Sequence, residues 1–360
     1  MNRYSRHIIL EDIGIDGQKK INQANVLVVG AGGLGCPVLQ YLAAAGIGTI
    51  GIIDFDTVEE SNLQRQILFG KASLGQNKAL AAKQRLVDMN DTITIHTYPE
   101  ALTPQNALSL FKTYDIIVDG TDNFETRYLI NDAAVLTDKP VVYGAIYKFE
   151  GQVSVFNYNN GPSYRCLFPD PPKENDIPNC SEVGVLGVLP GIIGSMQANE
   201  VLKIILGFKN VLSGKLYCYN SKTTQTVTLH IEKSHTEFEK VKTQKAHFQK
   251  QPSTKACNST IREITIEEAF QKENTSFIDV RELHEAPKAD RLRPIKMPLS
   301  NLKDELHTID NTKNLMLFCK SGLRSKTAAF ILQEHNIPNC YSIKGGLGAI
   351  NNYFKELHNE

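Results

Sequence analysis

The stretch NVLVVGAGGLGCPVLQYLAAAG, residues 25–46, decides how the first half of the chain folds. Asn25 is followed by an unbroken apolar run into glycine, the pattern of a strand buried on both faces of a parallel sheet. Gly30, Gly32 and Gly35 form GxGxxG, with Gly33 among them, and Cys36 to Gly46 reads as a helix. Glycines at such a strand-to-helix turn let backbone N–H groups approach a phosphate at the positive end of the helix.

The same alternation continues outward. TIGIID (49–54), ITIHTY (93–98) and YDIIVD (114–119) read as strands, with helices expected over Asn77–Met89 and Arg127–Thr137. VVYGAI follows Pro140, then come QVSVFNY, the turn NNGP and the proline-rich loop FPDPPKENDIPNC (168–180). Strands alternating with helices imply an α/β fold with a doubly wound, mostly parallel sheet. The lysine-rich polar segment 232–255 reads as a linker with some helix. Beyond it FIDV and LMLFC read as strands, SKTAAFILQEH as a helix, and CYSIKGG closes a second, smaller α/β unit. The expected organisation is 1–235, a linker 236–258, and 259–360.

Lys+Arg and Asp+Glu both total 39, so no overall charge draws the chain to nucleic acid or to an anionic membrane. The charged start MNRYSRHIILEDIG is unlike a signal peptide. Val183–Leu206, the most apolar stretch, is interrupted by Pro190, Gln197, Asn199, Glu200 and Lys203 and is expected as a buried helix. Seven scattered cysteines make no disulfide framework, and a reducing cytoplasm is the expected setting.

Asp54 ends the second strand, where a carboxylate can bind ribose hydroxyls. Up to this point the pattern suits NAD, and a glycine turn needed only for packing also remains open. Asp54 then opens DFDTVEESNLQRQ, which carries Asn62, Arg65 and Gln66, and Lys78 follows in GQNK. Two cations and two amides behind the ribose acid suit a triphosphate better than a nicotinamide, Arg as a fork and Lys as a point charge. GTDN places Asp122 at the carboxyl end of a strand, where it can hold Mg²⁺ beside phosphate oxygens.

GAGGLG, DFDTVEESNLQRQ, GQNK and TDN, with SRHIIL before them and GVLGVLPGIIGSMQANEVLK after, resemble the MoeB/ThiF family of ubiquitin-activating-like enzymes over residues 1–232. The resemblance implies ATP as nucleotide and, as substrate, the Gly-Gly tail of a ubiquitin-like sulfur carrier. It assigns ribose to Asp54, the phosphates to Asn62, Arg65, Gln66 and Lys78, and Mg²⁺ to Asp122. It also implies a homodimer in which Arg6 reaches the partner subunit's phosphates. Many members bind structural zinc with two CxxC pairs; here Ser163 replaces the first cysteine beside Cys166, and LHIEKSHTEFEK has none, so zinc is not expected.

Cys319 ends LMLFC and begins CKSGLRS, a strand-to-helix turn in which loop amides, a helix start and Arg324 favour the thiolate. Cys319 and Arg324 enclose four residues, whereas phosphatases of this geometry enclose five. With FIDVRE before it and KGGLGAI after it, the loop resembles the rhodanese sulfurtransferases over about residues 260–357, with Ile350 where tryptophan is frequent. This resemblance implies a persulfide on Cys319, held by loop amides and Arg324, and a MoeB–rhodanese fusion that keeps the sulfur donor close to the adenylate. The implied reaction is adenylylation of the carrier, MoaD-like or else ThiS-like, followed by sulfur transfer to give a thiocarboxylate. Sulfur would come from a cysteine desulfurase or thiosulfate. Cys180 matches a cysteine that attacks the acyl-adenylate or resolves an acyl-persulfide in related fusions, and a loop cysteine without a role is the other reading. Two further classes remain: an NAD-linked oxidoreductase, resting on the glycine loop alone, and a non-catalytic carrier scaffold.

Overall fold

The computed structural model describes residues 3–172, 184–249 and 261–356, apart from 284, 288, 303, 321 and 336. The chain divides into two compact units, 1–254 and 255–360.

In the first unit eight strands form one sheet: β1 (Asn25–Val29), β2 (Thr49–Ile53), β3 (Thr94–Tyr98), β4 (Ile116–Asp119), β5 (Val141–Tyr147), β6 (Glu150–Phe156), β7 (Lys215–Asn220) and β8 (Thr226–His230). Their order is β3-β2-β1-β4-β5-β6-β7-β8, parallel as far as β5 and antiparallel beyond it. The expected doubly wound sheet is therefore present, extended by a meander whose last strand is exposed along its length. The chain leaves β1 toward β2 and β3 and later returns to β4 on the other side. That reversal opens a crevice at the carboxyl ends of β1 and β4.

Helix Gly35–Ala45 ends on Gly46, whose φ of 86° only glycine adopts readily. Helix Lys78–Met89 is capped by Asn77, whose side chain accepts from Ala79 and Leu80 N–H. Helix Phe124–Thr137 starts three residues before the expected Arg127, because Asn123 caps it through Thr126 N–H. Two helices, Gly14–Gln23 and Pro104–Lys112, have no counterpart in the sequence reading. The apolar stretch yields helix Leu189–Leu206, with Leu189, Ile193, Ala198 and Val201 buried. Among the described residues no helix is long and apolar enough to cross a membrane. In the segment expected as a linker, helices His235–Thr243 and Lys245–Phe248 bury Phe238, Val241 and Phe248 in cores of the first unit.

The second unit holds β9 (Arg262–Ile264), β10 (Thr275–Asp279), β11 (Ile295–Lys296), β12 (Asn314–Phe318) and β13 (Cys340–Ile343). They form a parallel sheet in the order β11-β10-β12-β13-β9. Leu315 to Phe318 on the central β12 are all buried, as a strand covered on both faces requires. Helix Gly346–Glu356 buries Leu347 and Ile350 beside Phe318 and Ile343. The position of Ile350 is thus one of packing.

A Cβ on Gly35 would lie 1.9 Å from the Gly30 carbonyl oxygen, whereas one on Gly191 would meet nothing within 4 Å. Gly35→Ala is therefore expected to lower the unfolding free energy by about 3 kcal/mol or more, as severe overpacking does. Gly191→Ala, in the interior of a helix, should be neutral or stabilising by up to about 1 kcal/mol. Urea unfolding of the two variants checks this, and equal midpoints would contradict it.

Candidate active sites

The glycine loop leaves β1 at Gly30, which has φ of 91°, and Cys36 N–H closes the first helical turn on the Gly32 carbonyl. Asp54, at the end of β2, accepts the Ala31 N–H at 2.7 Å and the Asp56 N–H at 2.8 Å. It is buried, and burial raises its pKa against the opposing pull of Lys78 and these two hydrogen bonds. The acid thus fastens the glycine loop to the turn that follows β2.

Lys78 starts its helix beside this turn. Its Nζ lies 2.9 Å from Asp56 Oδ2 and its N–H donates to the Asp56 carbonyl. Asn77 Nδ2 donates to the Asp54 carbonyl at 2.9 Å, so the cap also ties the helix to β2. Asn62 closes a short 3₁₀ turn, its Oδ1 accepting from Glu59 N–H. Arg65 and Gln66 come back onto the loop: a Cβ on Gly33 would be 3.8 Å from Arg65 Cδ, and one on Gly32 3.8 Å from Gln66 Nε2. Gln66 Oε1 is buried without a hydrogen-bond partner. Such an orphaned acceptor beside free loop amides is what a polar ligand would complete. Asp54, Arg65 and Gln66 are thereby brought to the loop, Lys78 lies close to Asp54, and Asn62 closes the turn that carries Arg65 and Gln66.

Asp122 is exposed just past the end of β4. The buried Asp119 before it accepts from Thr121 N–H and Oγ1 at 3.0 and 2.6 Å. Gln197 from the long helix donates to the Asp119 carbonyl, and Arg127 to the Thr121 carbonyl, with its guanidinium over the Tyr143 ring. Asp119, Arg127 and Gln197 fix the turn that presents Asp122, and the sequence reading passed over all three. Only the GTDN run pointed to this place. Arg6 is exposed on helix Ser5–Ile8, while neighbouring Tyr4 bonds to Thr92 and Asn90. Cys180 lies outside the described residues.

At the position marked by Ser163, the Cys166 sulfur accepts the N–H of Ser163 and of Ser234, each at 3.3 Å. It joins the two chain segments singled out as family zinc positions. The second segment continues into the buried Glu237, paired with Lys240 at 2.6 Å.

In the second unit Cys319 follows β12 and is buried, its sulfur accepting the Gly322 N–H at 3.1 Å. Gly322 has φ of 98°, which turns that N–H toward the sulfur and opens helix Leu323–Glu334. Buried Ser325 and Ser342 hydroxyls lie 2.8 Å apart, and Ser325 donates to the Gly322 carbonyl, locking the turn from behind. Arg324 does not lie free in the loop. It forks onto Glu285, Nη1 to Oε1 at 2.5 Å and Nη2 to Oε2 at 2.8 Å. The guanidinium holds the Glu285 carboxyl down at about 2. Glu285, beyond FIDVRE, carried no signal in sequence because nothing local marks its partner 39 residues away.

A doubly wound sheet with a glycine loop at its switch point, followed by a small parallel-sheet unit with a cysteine loop, defines the class of protein. The chain belongs to the ThiF family, whose model matches residues 4–241, and a rhodanese-like domain matches residues 265–353. It is 41% identical to "Probable adenylyltransferase/sulfurtransferase MoeZ" of Mycobacterium tuberculosis, over 96% of this chain and 92% of that one. It is 50% identical to the "Sulfur carrier protein adenylyltransferase" of Thermus thermophilus, over 61% of this chain and 83% of that one. Among solved structures, Escherichia coli MccB with ATP superposes with a TM-score of 0.57 at 24% identity, over 65% of this chain and 72% of that one, a likeness of fold.

Because the Glu285 carboxyl falls from its ordinary 4.5 to about 2 on folding, the fork contributes its full stability above about pH 4.5. That contribution is lost as pH falls through about 2. The melting-temperature gap between wild type and Glu285→Gln should therefore be constant near neutrality and shrink in acid. A gap that widens on acidification would contradict the pairing.

Proposed function

We propose that this chain uses ATP to adenylylate the C-terminal Gly-Gly carboxylate of a ubiquitin-like sulfur carrier, then delivers sulfur from a Cys319 persulfide to make a thiocarboxylate. The observation that carries the reading is that Asp54, Arg65 and Gln66 meet at the glycine loop with Lys78 close to Asp54. The names of the relatives agree with both halves of it.

The attacking α-carboxylate, with a pKa of about 3.5, is already ionised at neutral pH, so no general base is needed. Its oxygen bonds to the α-phosphorus and the bond to pyrophosphate breaks. Catalysis is then positioning and charge stabilisation. Asp54 holds the ribose, Arg65 and Lys78 take the growing charge on phosphate oxygens, and Asn62 and Gln66 orient them. Asp122, exposed past the end of β4, would hold Mg²⁺, which would neutralise phosphate charge there. In a homodimer Arg6 would add a cation from the partner subunit, in keeping with its exposure. In the second half-reaction the terminal sulfur on Cys319 attacks the acyl carbon and AMP leaves. A thiol then attacks the Cys319 sulfur, which releases the thiocarboxylate and leaves a disulfide; Cys180 is the candidate for that thiol. A MoaD-like carrier of molybdopterin synthesis is favoured over a ThiS-like one, and the cytoplasm is the proposed site of action.

Carrier-dependent exchange of labelled pyrophosphate into ATP is the expected signature, and Arg65→Ala should slow it about 10²–10³-fold, the cost of one preorganised charge-stabilising donor. No exchange with any Gly-Gly carrier would sink the reading. Cys319→Ala should keep exchange but abolish thiocarboxylate, while Lys78→Ala should lose exchange but keep sulfur transfer from thiosulfate to cyanide. Thiocarboxylate made at the wild-type rate by Cys319→Ala would exclude this cysteine as the sulfur source.

A further inference from the structure

Arg324, the cation that interacts with Cys319, is met by carboxylates. Arg324 is near enough to interact with the Cys319 sulfur, yet both of its terminal nitrogens are bound by Glu285. Glu285 is itself held, since its Oε1 accepts the Glu282 N–H at 2.9 Å. Glu282 brings a further negative charge within range of Arg324. The next arginine, Arg281, is forked onto Asp279 and donates to the Pro287 carbonyl, so its charge too is met locally. Lys320 points into solvent, where water and salt screen it.

A sulfur donor approaching this sulfur therefore finds hydrogen-bond donors but little net positive field. Thiosulfate is a dianion that needs such a field, whereas a thiol persulfide, R–S–SH, does not. We propose that Glu285 is a specificity-determining residue, which holds and neutralises Arg324 so that the Cys319 site takes a low-charge thiol persulfide in preference to thiosulfate. This rests on the reading of Cys319 as the sulfur carrier. The Cys319 thiolate attacks the outer sulfur of R–S–SH, a new S–S bond forms on Sγ, the old one breaks, and R–S⁻ leaves. With thiosulfate the same attack expels sulfite, and both the incoming and the leaving group carry two negative charges past Glu285.

The test loads the full chain with either thiosulfate or N-acetylcysteamine persulfide, which carries at most one negative charge, and follows the persulfide on the Cys319 peptide by mass spectrometry. Glu285→Gln should raise the ratio of thiosulfate to persulfide-donor loading rates about threefold, the size expected when a unit charge is removed near two donors that differ by one negative charge at the protein surface. That gain should fade with added salt. Glu285→Asp, which keeps the charge, should return the ratio toward wild type. An unchanged ratio in Glu285→Gln, or equal shifts in the Asp and Gln variants, would overturn the proposal. Failure of the wild-type Cys319 to load from either donor would overturn the sulfur-carrier reading, and this proposal with it.

Discussion

The carbonyl oxygen of Gly30 occupies the space that a Cβ on Gly35 would need, and it lies 2.9 Å from where a Cβ on Gly120 would be. With both side chains missing, the first turn of a helix and the end of β4 close onto the end of β1. The loop amides thereby come within reach of Asp54 on β2, which accepts from Ala31. The same closeness sets the back of the site. Pro190 packs 3.2 Å from a Cβ built on Gly33, and a Cβ on Gly194 would strike the Leu34 carbonyl at 2.5 Å. The long helix is thus seated against the loop, where its Gln197 reaches the Asp119 carbonyl. One backbone contact sets the spacing of the loop, Asp54 and the turn that carries Asp122 together.

What could be read in advance was what repeats locally. NVLVV, TIGIID and YDIIVD are runs whose burial on both faces needs no knowledge of the partner strand, and GxGxxG names its own turn. The meander of β7 and β8 escaped because its residues, Leu216 apart, are half-exposed or exposed and follow no apolar run. DFDTVEESNLQRQ named candidate residues beside the glycine loop but not the role of Asp56, because a carboxylate's partner is chosen by the fold. Lys78 stands 22 positions from Asp56, Arg324 39 from Glu285 and Gln197 78 from Asp119. The helix start at Phe124 was misjudged by three residues and that at Lys78 by one, because Asn123 and Asn77 are caps, and a cap lies outside the apolar period. The polar stretch 235–248 looked like a linker because only Phe238, Val241 and Phe248 anchor it.

The two units treat their cations in opposite ways. Lys78 is nearly buried, and an unpartnered ammonium there would be costly, so Asp56 supplies a counter-charge. Asp56, however, is half-exposed and makes one contact to Nζ, so water can take it back when a stronger anion arrives. On the proposed reading a triphosphate would exchange partners with Lys78 instead of creating a buried charge. Arg324 has a fork whose carboxylate is anchored by the Glu282 N–H, and displacing it would break two charge-assisted bonds at once. A replaceable counter-ion suits a site that must hold a polyanion and let it go. A fixed one suits a site whose reacting atom is a sulfur nucleophile, where the cation is needed for shape and for a steady local field rather than to collect anions. On the proposed reading that difference in geometry between two ion pairs, one contact against a braced fork, would favour a polyanion in the first unit more than in the second.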